Sequence, residues 1–148
     1  MPPHPFPLLI GLDRADTKAD LYCIDTRSGR RWTQSLDTAP ESLHDWLAQL
    51  RQAYPRAQVA LCVEQPAVNL LLFLEAYAWI SLFPINPITL QKFRETFVTS
   101  RAKDDAKDAR YLAELLLAHH QRLTPWAPRG RRHPAPPTTG PAPAGRRR

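Results

Sequence analysis

Cysteine is almost missing from this 148-residue chain: Cys23 and Cys62 are the only two, with no Cys-x-x-Cys pairing. That excludes a disulfide framework and a thiolate metal site. Each lies in an apolar run, so two inert buried thiols are expected. A long unbroken apolar stretch is also lacking. Residues 67–85 come nearest, but Asn69, Glu75 and Pro84 interrupt them. They divide better into a buried helix and a short strand than into a membrane span. The amino end is proline-rich and has no basic stretch, so it does not read as a secretory leader. A soluble, cytoplasmic protein with no membrane partner is expected. Finally, no acidic residue follows Pro125.

That last absence explains the net charge of +6 and the pI near 9.8. Of the 20 Lys and Arg, six are arginines at 129, 131, 132, 146, 147 and 148, whereas all 14 Asp and Glu lie before Pro125. The body is therefore neutral, and a basic-protein argument for nucleic-acid binding fails for it. Proline is distributed the same way. Of 16, four lie in Met1–Pro7 and seven in Pro125–Arg148. Segments this rich in proline and poor in aliphatics cannot bury enough surface to offset their ordering entropy. The expected organisation is a disordered 1–7, one folded domain over 8–124, and a disordered Pro/Arg-rich tail over 125–148. With 43% apolar and 23% charged residues, the chain as a whole is globular in composition.

Within the body, Pro7–Asp13 (PLLIGLD) is a short apolar run typical of a central strand. Lys18–Asp25 follows as a second strand, and Ser28-Gly29 turns the chain into a third, Arg30–Leu36. Thr38 and Glu41 have capping-box spacing for a helix whose Leu43, Trp46, Leu47 and Leu50 share one face. Ala57–Val63 predicts a fourth strand. After it come a helix over about 68–78, a strand over about 79–83, a short helix after Pro87, and a long helix over about 103–122. The order βββαβαβαα describes an α/β protein with a mixed sheet flanked by helices, the ribonuclease-H-like arrangement.

Three acidic places stand out. Asp13 ends the first strand, Glu64 ends the fourth, and Asp104, Asp105 and Asp108 open the last helix. Functional groups of open sheets gather beyond the carboxyl ends of parallel strands. If the first and fourth strands are parallel neighbours, Asp13 and Glu64 emerge side by side and the last helix can bring its first turn over them. Converging carboxylates require a hard cation, and all-oxygen donors suit Mg²⁺ or Mn²⁺. Two such ions about 4 Å apart stabilise the entering and leaving oxygens of a phosphodiester displacement. Periodicity leaves the helix ligands open, because Asp105/Asp108 and Asp104/Asp108 both share a face. Asp16 is a rival to Asp13. The plainer role of acids in a first helical turn is to complement the helix dipole.

The segments Ile10-Gly-Leu-Asp13, Val63-Glu-Gln-Pro66 and Ser100–Ala113 (SRAKDDAKDARYLA) together resemble the N-terminal domain of the DEDD-type insertion-sequence transposases. The similarity runs from about Leu8 to Trp126. That family's domain is similar to the Holliday-junction resolvase RuvC, which implies a RuvC-like fold and metal-dependent DNA cleavage and strand transfer with Mg²⁺ or Mn²⁺. The family pattern K-T-D-x-x-D-A falls on Lys103, Asp105, Asp108 and Ala109, with Asp104 where threonine is usual. The implied catalytic and metal-binding tetrad is Asp13, Glu64, Asp105 and Asp108. The resemblance further implies DNA, a guide (bridge) RNA and homo-oligomers as partners of full-length members. Family members continue into a second domain carrying a catalytic serine, whereas no serine follows Ser100 here. A truncated copy, inactive in strand transfer on its own, is therefore expected.

Lys92, Arg94, Arg101, Lys103, Lys107 and Arg110 cluster around the acidic helix start. Arg101, Lys103 and Lys107 are the candidate nucleic-acid contacts, since phosphate contacts position a strand for cleavage. Solvated helix faces account for others of this group. Asn86, before Pro87, suits a helix N-cap at least as well as a contact with nucleic acid. Trp32, Trp46 and Trp79 read as packing rather than base-stacking platforms. A sugar-kinase-like phosphate loop at Asp13–Lys18 fails for want of glycines. The non-enzymatic alternative is a remnant domain that binds nucleic acid without chemistry.

Overall fold

The computed structural model describes residues 4–97 and 108–127. Three strands come first: β1 (Leu8–Arg14), β2 (Lys18–Asp25) and β3 (Arg31–Asp37). Then follow α1 (Pro40–Ala53), β4 (Val59–Glu64), α2 (Val68–Leu74), β5 (Ile80–Ile85), α3 (Pro87–Phe97) and α4 (Asp108–His119), with a 3₁₀ turn at His120–Arg122. The strands form one five-stranded sheet in the order β3-β2-β1-β4-β5. β1 and β2 pair antiparallel, as do β2 and β3, whereas β4 runs parallel to both β1 and β5. This is an α/β, ribonuclease-H-like (RuvC-like) mixed sheet.

The alternation of side chains along a strand divides the core in two. Leu8, Ile10 and Leu12 of β1 face α1 and α2, where Leu43, Trp46, Leu47, Leu50, Leu71 and Leu74 are buried. Leu9 of β1, with Ala60 and Cys62 of β4, faces α4 through Leu112, Ala113 and Leu116. Both faces being covered, β1 reads as a continuous apolar run. The thiols of Cys23 and Cys62 are buried and free, and burial pushes the Cys23 pKa up to about 12 and that of Cys62 higher still.

Several local expectations need correction. Thr38 is not the N-cap of α1. Ala39 holds that position without a side-chain cap, Pro40 occupies the first turn, and Asp37 Oδ1 accepts the Ala39 N–H at 2.9 Å. A proline there has the required φ and no N–H to satisfy, so the capping box is not needed. The helix after β4 ends at Leu74 rather than Ala78, and β5 runs on through Pro84 to Ile85. Proline is tolerated because β5 is an edge strand. The described part of the last helix begins at Asp108, and 103–107 lie outside the described residues.

Packing also reaches past both ends of 8–124. Phe6 meets Phe83 and His120 edge-on. Trp126 donates its backbone N–H to Leu82 O and its indole N–H to Glu75 Oε1, both at 2.8 Å. The rest of the expected tail, from 128, lies outside the described residues. Among the described residues, no helix is long and apolar enough to cross a membrane.

Candidate metal and catalytic site

The parallel pairing of β1 with β4 runs Leu8↔Val59 to Leu12↔Val63, so one further step brings Asp13 level with Glu64. Asp13 has the parity of Leu9 and Gly11, and Glu64 that of Ala60 and Cys62. Both acids therefore stand at the carboxyl edge on the face that α4 covers.

Gly11 determines how α4 lies there. A Cβ on Gly11 would sit 2.0 Å from Ala109 O, 2.6 Å from Ala113 N and 3.0 Å from Leu112 Cβ. Only a residue without a side chain allows the helix backbone this close. The contact is made by Ala109, Leu112 and Ala113 in the first two turns of α4, so Asp108 is delivered to the edge that carries Asp13 and Glu64. The electrostatics of Glu64 reflect the same neighbours. Burial raises the pKa of Glu64, Asp108 and then Asp13 raise it further, and Arg94 opposes them. Arg94 reaches across from α3, with Nη1 3.2 Å from Asp108 Oδ1.

Of the tetrad expected from the sequence, the structure thus brings Asp13, Glu64 and Asp108 together. Asp104 and Asp105, together with Arg101, Lys103 and Lys107, lie outside the described residues. Among the described residues, no three His, Cys, Asp or Glu side chains close into a ready-made metal cage. Even so, the donor chemistry fits a hard divalent cation: oxygens only, like charges facing one another, and a carboxylate held above its ordinary pKa first by burial and then by its acidic neighbours.

The basic residues separate by partner. Arg94 pairs with Asp108, whereas Arg110 and Arg31 converge on Glu114, the buried charge of α4. The Arg31 pairing spans 83 residues, so helix periodicity could not signal it. Asn86 Oδ1 accepts the Ile88 N–H at 2.7 Å, the N-cap role expected for it. Its neighbours Gln65, Thr89, Arg122 and Trp126 line a 460 Å³ groove just beyond Glu64. His119 and His120 pack against Phe93 and His4, away from the acids.

A family model described as a transposase, the DEDD type of IS110 insertion sequences, matches residues 10–132. The chain belongs to the IS110-type DEDD transposase family. The match takes in both strand-end acids and the whole of α4. Enzymes of this DEDD family generally use divalent metals, and transposases act on DNA. No curated protein matches the chain.

Proposed function

We propose that this chain is the carboxylate-bearing catalytic domain of a DNA transposase, with Asp13, Glu64 and Asp108 joined by Asp105 to hold Mg²⁺ or Mn²⁺. The observation that carries the reading is the arrival of Asp13, Glu64 and Asp108 at one sheet edge from three separate elements. A divalent cation bound there would stabilise charge on the oxygens of a phosphodiester undergoing displacement. The chain's own residues give it oxygen ligands and fix their direction, two from the ends of paired strands and one from the seated helix. Arg101, Lys103 and Lys107 would hold the DNA backbone beside them, and a guide RNA and a second copy of the chain complete the assembly we envisage.

Millimolar Mn²⁺ should raise the melting temperature, because a ligand that binds only the native state stabilises it. Asp13→Asn and Asp105→Asn should each remove the shift, whereas Asp104→Thr should retain it. A wild-type melting temperature that ignores Mn²⁺ would sink the proposal. The second reading, a nucleic-acid-binding domain without chemistry, is favoured by the groove beside Glu64. It predicts salt-sensitive DNA binding that is indifferent to Asp13→Asn, with no metal-dependent cleavage.

A further inference from the structure

Arg94 is in the last turn of α3, and its guanidinium is the cation that Asp108 meets across the α3–α4 contact, at 3.2 Å. The same guanidinium stands over the Tyr111 ring, 5.5 Å from its centroid. Neither partner is sealed away: the Arg94 and Asp108 side chains are 43% and 29% exposed. An exchange of partners at Asp108 therefore needs no opening of the core.

An oxygen of Asp108 ion-paired with a guanidinium divides its charge between that contact and any incoming cation. We propose that Arg94 is a displaceable counter-ion of the carboxylate site, which a divalent cation must move off Asp108 in order to bind. The inference rests on the reading of Asp13, Glu64 and Asp108 as a cation site, and it adds a residue that sets the threshold for loading. The ring of Tyr111 gives the guanidinium a second surface to rest on beside the site. Arg94 is thus a positioning residue acting through Asp108. A purely structural tie between α3 and α4 makes the opposite forecast, since loosening the helices would weaken metal binding.

The test is calorimetric titration of the full 148-residue chain with Mn²⁺, in wild type, Arg94→Gln and Arg94→Lys. Taking the pair as a partly exposed salt bridge, Arg94→Gln should bind Mn²⁺ roughly two- to fivefold more tightly. Arg94→Lys, which keeps the charge, should fall between the two. With chelator present, Arg94→Gln should melt lower than wild type, and this loss should vanish in an Asp108→Asn background. Unchanged or weaker Mn²⁺ binding by Arg94→Gln overturns the counter-ion assignment while leaving the cation site standing. Wild-type Mn²⁺ binding that survives both Asp13→Asn and Glu64→Gln overturns the site itself. Binding by neither wild type nor Arg94→Gln overturns both.

Discussion

A missing side chain at Gly11 decides how close α4 comes to the sheet. Gly11→Ala would drive a Cβ to within 2.0 Å of Ala109 O, a backbone atom that cannot rotate aside. Overpacking of this kind costs about 1–3 kcal/mol, and the helix start must also shift. Chemical denaturation should show that loss, and the Mn²⁺ response should fall with it because Asp108 moves. A variant as stable as wild type would mean that α4 is not seated on Gly11. Asp25 gives a second single-residue case, at the far edge of the sheet. Burial acts to raise its pKa, but hydrogen bonds from Ser28 N, the Tyr54 hydroxyl and Arg27 N outweigh it and hold the group below the ordinary range. A depressed carboxylate pKa gives stability that is present above the unfolded value and lost as pH falls through the folded one. Tyr54→Phe should therefore cost about 0.5–1.5 kcal/mol at neutral pH. The gap from wild type should narrow in urea melts as pH falls from about 4, the ordinary value of the unfolded carboxyl, down through the lower pKa of the folded group.

At the scale of elements, the sequence was easiest to read where one period dominated. The face of α1 carrying Leu43, Trp46, Leu47 and Leu50 is buried as its spacing required, and β2 has the expected bounds of Lys18–Asp25. The boundary between α2 and β5 was harder to place, because apolar residues crowd 70–85 and neither a period of 3.6 nor one of 2 stands out. Asp13 and Glu64 were visible only in combination with the acids opening the last helix, since a lone strand-end carboxylate can be structural, as Asp25 and Asp37 are. Nothing along the chain could show that Arg94 meets Asp108, because that depends on how α3 lies against α4. The seating of α4 is itself testable. Leu112 is fully buried between the helix and the sheet, so Leu112→Ala should cost about 2–5 kcal/mol. A loss well under 1 kcal/mol in denaturant titration would contradict the packing described.

Across the whole molecule, two cores back one sheet, and the edge where three carboxylates meet is held together by both. Facing like charges are a cost that the rest of the fold must offset. Glu64→Gln removes one of them, so with chelator present it should raise the melting temperature while abolishing the Mn²⁺ shift. The paired readout separates a lost ligand from a misfolded chain, since misfolding would lower stability instead. The sheet order has a further consequence, in time rather than in space. Asp13 and Glu64 become neighbours only through the parallel β1–β4 pairing, which must close a loop containing β2, β3 and α1. Asp108 joins them only when α4 docks from the other end of the body. Non-local contacts of this kind form slowly, because loop-closure entropy is lost before they are gained. The hairpins of β1–β3 can form early from local pairing, but the carboxylate edge cannot exist until the most distant parts of the chain have found one another.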